Sequence, residues 1–222
     1  AFLYPPEATQ PLADAHARVA VRLRMNAAEV VRGSHAMCCN KRAGGTPCNA
    51  HTAGDGGNHA VVCACGGGVM ARHDAIRDAL HAWLQQQGIQ ALKEQRVPAW
   101  DQPEERAVLD IAYTDPEQGH MYVDATVVAA VTHQAVGTGV LLARREQAKH
   151  IRYRGNGLVP FAVDIRGRWG QEALAWARDV IRKQQPQQRE QALQQLRYEI
   201  SLALQSAAAE QCFRSAGTCI QS

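Results

Sequence analysis

The stretch Val108-Leu109-Asp110-Ile111-Ala112-Tyr113-Thr114-Asp115-Pro116-Glu117-Gln118-Gly119-His120-Met121-Tyr122-Val123-Asp124-Ala125-Thr126-Val127-Val128 decides how this chain is read. Its two ends have strand composition, and the middle carries Asp115, Pro116 and Gly119, so the whole predicts a β-hairpin or two closely joined strands. Asp110 and Asp124 sit inside the apolar runs. An ionised carboxylate in apolar surroundings is costly unless something positive compensates it, and two brought together repel. A divalent cation removes both costs, and a carboxylate pair completed by water and phosphate oxygens suits Mg²⁺ or Mn²⁺. Capping of a strand end, or pairing with arginine, is the plainer account of either aspartate taken alone.

Outward from the hairpin, the chain alternates helical and strand patterns. Residues 12–31 and 69–87 have helical spacing, the second with Val69, Ile76, Leu80, Trp83 and Leu84 on one face and Gly88 as its stop. Strands are expected at 89–97 and 158–165 and helices at 143–154, 170–183 and 188–214. In the last of these the Gln-rich outer face accompanies Leu193, Leu196, Ile200, Leu202 and Leu204 at helical intervals. The expected fold class is therefore α/β, a mixed sheet with helices on its sides.

The 222 residues suffice for one large domain, or for one with a small appendage. No run approaches the roughly 18 apolar residues of a membrane span, so no membrane partner is expected. The chain starts at Ala1 without an initiating Met or a secretory pattern, as expected of a piece of a longer protein. A formal net charge of +3 is too weak alone to imply nucleic acid. Its distribution says more: Arg144, Arg145, Lys149, His150, Arg152 and Arg154 crowd one stretch, followed by Arg166 and Arg168.

From Arg32 to Gly68 periodicity stops and Gly, Cys, His and Asn take over. A stretch that cannot build an apolar core needs another organiser, and a metal ion supplies one. Five of the seven cysteines lie between Cys38 and Cys65, which argues for metal in a reducing compartment over a disulfide framework. Cys39, Cys48, His59 and Cys63 offer three thiolates and one imidazole, a closed tetrahedral zinc set with a structural role. Cys38, Cys65 and His51 are rival ligands, and Cys38 can exchange with Cys39.

Nucleases with paired strand aspartates often carry a lysine two residues beyond the second, in a PD-(D/E)xK pattern. Here that position is Thr126, which brings no charge. The helix at 143–154 supplies Lys149 instead, with Arg145 and Tyr153 at successive i, i+4 positions on the same face. An ammonium near two carboxylates orients or helps deprotonate an attacking water. Glu94 is a candidate third acid, and Glu146 either binds the metal or pairs with Lys149 or His150.

Cys39 to Cys63, Gly66-Gly67-Gly68, Arg72-His73-Asp74 with Arg77-Asp78, Glu94 to Pro98, Leu109-Asp110-Ile111, Val123-Asp124 with Thr126-Val127, Lys149 to Tyr153 and Val159-Pro160-Phe161 occur in this order. The string resembles the zinc-knuckle and restriction-like endonuclease region of early-branching non-LTR (LINE-type) retrotransposon proteins, over about residues 20 to 215. The resemblance implies a restriction-endonuclease-like fold preceded by an N-terminal zinc-binding segment, with an N-terminal helix and linker at 1–35, a zinc knuckle at 36–68 and a nuclease domain at 69–222. It implies catalytic Asp110, Asp124 and Lys149, with Tyr153 beside them, Mg²⁺ on the two aspartates, and zinc on Cys39, Cys48, His59 and Cys63. Arg72, His73 and Arg77 match the family's RHx motif and, with Arg145 and Arg152, are the expected DNA-binding residues. In that family the nuclease follows a reverse transcriptase and nicks target DNA. The 3′ hydroxyl so released primes copying of the element's RNA, in the nucleus. The chain departs from the pattern at Leu109, where a proline is usual, and in the glycine-containing insertion around Gly137 to Gly139. Two other functions fit the same residues: a zinc-organised DNA-binding module with a decayed nuclease site, and a branched-DNA nuclease of resolvase type.

Overall fold

The hairpin at 108–128 is the centre of a four-stranded mixed sheet. Strands β1 (Ala91–Arg96), β2 (Val108–Asp115), β3 (Gly119–Val128) and β4 (Leu158–Asp164) lie in that order. The first two contacts are antiparallel and β3 runs parallel to β4. The hairpin turn is built by Asp115, whose Oδ1 accepts the backbone N–H groups of Glu117 at 2.8 Å and Gln118 at 3.0 Å. Gly119 then closes it at φ 82°, a left-handed conformation that suits glycine. A parallel neighbour needs a crossover, and helix α4 (Thr138–Arg152) provides it between β3 and β4.

The computed structural model describes residues 14–24, 37–42, 44–50, 57–129 and 137–216. They fall into two compact units, His73–Ile200 and Ala1–Arg72 with Ser201–Ser222.

In the first unit the register sorts side chains by face. Ile111 pairs with Val123 and Tyr113 with Met121, while Val123 pairs with Val159 and Ala125 with Phe161, so these share one face. Helices α3 (Gly68–Gln86) and α5 (Gln171–Val180) cover it. Trp176 of α5 lies against Phe161 and Trp83, ring centroids 5.7 and 5.8 Å apart, and its indole N–H donates to the Tyr113 hydroxyl at 3.0 Å. The Trp83 N–H donates to Ala192 O of helix α6 (Pro186–Ser215), whose Leu193, Leu196 and Ile200 are buried. On the opposite face Leu142 of α4 packs with Val128 and Ala162. Tyr153, Leu158, Leu109 and Ala107 form a second cluster there, with Trp100 and Tyr122 against it.

Every residue of β4 is buried although the strand ends the sheet. The chain after it folds back over that edge: Asp164 N donates to Arg168 O, Gly170 N donates to Ala162 O, and Val163 bridges Trp169. An open edge is thereby covered.

The second unit contains α1 (Asp14–Arg24), the cysteine segment, the short α2 (Asn58–Val62) and the C-terminal turns of α6. His16 of α1 meets Glu210 at 2.8 Å and lies edge-on to Phe213. Gly68 lies so close to Gln211 that a Cβ would stand 2.6 Å from its side chain. In this division the residues from Ser201 onward group with the cysteine segment. Helix α4 starts five residues before the expected 143, at Thr138. Most of the expected 1–35 linker, including the part of the 12–31 helix beyond Arg24, lies outside the described residues. No described helix is long and apolar enough to cross a membrane.

Candidate active site

The β2–β3 ladder gives out beside the two aspartates. Ile111↔Val123 is its last pair, and one residue further Asp110 replaces a ladder bond with its side chain: Oδ2 accepts the backbone N–H of Ala125 at 2.7 Å. Leu109 then joins the cluster of Tyr153 and Leu158, although strand alternation would set it on the side of Ile111. Glu94, which the β1–β2 register sets between Ile111 and Leu109, has φ 55°, an uncommon conformation for a non-glycine residue. Backbone irregularity is thus concentrated where the carboxylates are.

Asp110 and Asp124 are both buried, at 8% and 5% exposed. Lys149 reaches from α4 to place its Nζ 2.7 Å from Asp124 Oδ2. That oxygen is buried and makes no hydrogen bond, so the ammonium meets it as an ion pair outside hydrogen-bonding angles. Burial pushes the Asp124 carboxyl up to about 6; Lys149 opposes the shift and the neighbouring Asp110 adds to it. Two neighbouring buried carboxylates, one of them raised by burial and by the other's charge, fit a divalent cation with oxygen preferences. Asp110 and Asp124 are the residues that would hold it.

His73, an expected DNA-binding residue, meets Asp110 in the structure. Its Nε2 lies 3.1 Å from Asp110 Oδ2. That hydrogen bond raises the imidazole above its ordinary value against the opposing effect of burial. The helical phase held the signal, since Arg72 and His73 precede Ile76 by four and three positions and so belong on the stripe that Ile76, Leu80, Trp83 and Leu84 bury. For the same reason Arg72 is corrected as a DNA-binding residue. It is 2% exposed in the cysteine unit, and its Nη1 donates to Val61 O at 2.8 Å and Gln211 Oε1 at 3.2 Å. Arg77 is corrected too, because its guanidinium is held by Asp74, Asp78 and Glu94. Glu94 is thereby an ion-pair partner.

Along α4 the basic run divides. Lys149 serves Asp124, His150 pairs with Glu172, and Arg152 pairs with Glu105 while lying 4.9 Å over the Tyr153 ring. Arg144, Arg145, Arg154, Arg166 and Arg168 are exposed and make no ion pair among the described residues. Tyr153 is 4% exposed and stacks on Trp100 at 5.9 Å. Burial, then the charge of Asp124, raises its phenol. It is a packing residue next to the carboxylates. Glu146 takes neither expected role: its Oε1 accepts Glu172 N at 3.0 Å at the start of α5, where a Cβ on Gly170 would stand 2.0 Å away.

The cysteine segment forms a second centre. Cys38, Cys48, His59 and Cys63 bring their donor atoms within 4.8 Å of one another. The Cys38–Cys63 and Cys63–Cys48 Sγ separations are both 3.8 Å, and Cys48 Sγ lies 3.4 Å from His59 Nε2. A tetrahedron with Zn–S bonds of about 2.3 Å has edges of about 3.8 Å, so this Cys3His group can bind a metal such as zinc. Cys38 stands where Cys39 was expected. Successive residues in an extended segment point to opposite sides; Cys38 turns inward and is 2% exposed, while Cys39 is exposed with its Sγ toward Met37 O. The inward thiol also receives the Ser215 hydroxyl at 3.2 Å. Bonds from Cys38 N to Ala50 O and from Cys48 N to Asn40 O hold the loop. Cys65 is buried against the same group without belonging to it, and His51 lies outside the described residues.

Against known proteins, the chain matches no family model and none of the curated proteins.

Proposed function

We propose that the protein is a metal-dependent DNA endonuclease of restriction-like fold. The observation that carries the reading is the meeting of two buried strand carboxylates, Asp110 and Asp124, with the Lys149 ammonium 2.7 Å from the second. Asp110 and Asp124 would hold a Mg²⁺ or Mn²⁺ ion, which would supply a water of lowered pKa and stabilise the charge that builds on the phosphoryl oxygens.

The chain's own residues supply the rest. Lys149, with 21% of its side chain exposed, keeps Asp124 anionic and presents a positive charge to a phosphate oxygen. Thr126, where the lysine of the PD-(D/E)xK pattern is usual, leaves that task to α4. The unpaired Arg144, Arg145 and Arg154 supply phosphate contacts, which position a duplex without reading its sequence. The Cys3His group carrying zinc orders a segment that lacks apolar periodicity. Following the retrotransposon resemblance, the product is a nick with a 3′ hydroxyl that primes reverse transcription in the nucleus by a polymerase of the same polypeptide or element, with that element's RNA as template.

The test is nicking of supercoiled plasmid by the full chain with Mg²⁺ or Mn²⁺, followed by polymerase extension from the nick. Cleavage that depends on the divalent ion and disappears in Asp110→Asn and Asp124→Asn is expected. Cleavage undiminished in both variants would remove the reading. A second reading is favoured by one observation, that each carboxylate already has a protein partner, His73 for Asp110 and Lys149 for Asp124. A zinc-organised module that binds DNA with a decayed site needs no more, and it predicts salt-sensitive binding with no cleavage in any divalent metal. A preference for four-way or flapped DNA over linear duplex would mark the branched-DNA alternative.

A further inference from the structure

We infer that His73 is a positioning residue that fixes Asp110 for cation binding: its imidazole, with the Ala125 amide, occupies Oδ2 and leaves Oδ1 to bind. The inference rests on the endonuclease reading for its consequence in catalysis, but its geometry stands independently. Asp110 Oδ2 accepts from Ala125 N at 2.7 Å and lies 3.1 Å from His73 Nε2. These come from two different elements, β3 and the N-terminal half of α3. One donor alone leaves a carboxylate free to rotate about its χ2 angle; two donors in different directions on one oxygen fix the plane of the group. A ligand held in that way binds a cation without first losing rotamer freedom, which is how outer partners raise metal affinity.

The placement of His73 supports a purpose beyond packing. Its Nδ1 is buried without a hydrogen bond, 3.6 Å from Asp74 Oδ1. A core histidine kept only for stability would be expected to satisfy both ring nitrogens. Here the ring gives up one of them and keeps Nε2 on Asp110, in the protonated tautomer that a donor to a carboxylate requires. Arg77, which binds Asp74 at 3.1 Å and also holds Glu94, restrains the acid beside the ring. His73 contacts Asp110 and not the reacting phosphate, so the residue acts through Asp110.

The test compares His73→Leu with His73→Gln in the full chain. Gln retains an N–H near the place of Nε2, while Leu keeps bulk and loses the donor. Mn²⁺ binding measured by calorimetry is expected to weaken by about 10- to 100-fold in His73→Leu and to remain within about threefold of wild type in His73→Gln. In the nicking assay the Mn²⁺ concentration for half-maximal rate should rise in parallel, with the KM for DNA unchanged. A metal titration in His73→Leu equal to wild type overturns the inference, and so does equal impairment of both variants. Wild-type protein that binds Mn²⁺ yet never nicks would sink the endonuclease reading alone, because the calorimetric comparison still decides the role of His73.

Discussion

The sheet unit and the cysteine unit are held together by different means, and the difference decides what each loses when perturbed. In the first, Ile76, Leu80, Trp83, Leu84, Ile111 and Phe161 are wholly buried, and packing of helices on both faces of the sheet carries the fold. In the second, the segment from Met37 to Ala50 buries chiefly Cys38 and Asn40 and is organised around thiols. An apolar core is a sum of many small contributions, so single losses are partial. A metal bound by the Cys3His group would be one contribution, so its loss would be total for the segment it closes.

The sharpest way to break this contrast is to remove the metal. Structural zinc contributes apparent folding free energies on the order of 10 kcal/mol in small modules, far beyond any single contact in the sheet unit. A strong chelator is expected to abolish the protease resistance of residues 37–63 while hydrogen exchange in β2, β3 and β4 stays slow. Cys38→Ser should lower the zinc content measured by mass spectrometry from near one per chain to near zero, and Cys39→Ser should leave it unchanged. The reverse pattern would show that the wrong one of the two adjacent thiols has been assigned.

The next largest effect lies in the sheet unit and falls on activity, with the fold spared. Asp124→Asn is expected to reduce metal-dependent nicking by at least about 10³-fold, about 4 kcal/mol of transition-state stabilisation, while the circular dichroism spectrum stays that of the wild type. Loss of secondary structure in this variant would assign Asp124 to the fold and refute the contrast between chemistry and packing.

Stability should respond to pH with a definite sign. Asp124 is raised from 3.8 to about 6 mainly by burial, so the folded state holds its proton more tightly than the unfolded chain does. Its contribution is therefore complete below about pH 4 and is lost as pH rises through about 6, a change on the order of 3 kcal/mol. Denaturant titrations without divalent metal between pH 4 and 7 should show this decline in wild type and a flatter profile in Asp124→Asn. A wild-type curve that climbs across that interval would mean that Lys149 overrides burial.

What was legible from the residues follows the same contrast. Alternation and turn chemistry predicted β2, β3 and β4 closely, and helical period predicted α3, because burial of a face imposes a repeat on the sequence. The countable phase of α4 sets Lys149 on one face with Arg145 and Tyr153, and its Nζ lies 2.7 Å from Asp124 Oδ2. The choice between Cys38 and Cys39 was not legible, since an irregular loop has no period and both thiols satisfy the same spacing. Ion-pair partners were equally hidden: nothing in the letters of Arg72-His73-Asp74 says that the arginine is buried against Val61 and Gln211 or that the histidine meets Asp110. The phase of α3 places both side chains on its buried stripe and is silent on their partners.

The smallest expected effect separates two arginines that a sequence cannot tell apart. Arg145 is exposed on α4 without an ion pair among the described residues, whereas Arg77 is held by three carboxylates and its side chain is 13% exposed. A phosphate contact releases condensed counterions, so Arg145→Ala should shallow the slope of log affinity against log salt by about 0.9, measured by fluorescence anisotropy on a short duplex. Arg77→Ala should leave that slope alone, because a guanidinium already neutralised by Asp74, Asp78 and Glu94 has no counterion to displace from DNA. It should instead lower stability by about 1 kcal/mol, through three acids left facing one another. Equal slopes for both variants would mean that α4 does not face the duplex, and the basic run would then be a solvated helix face.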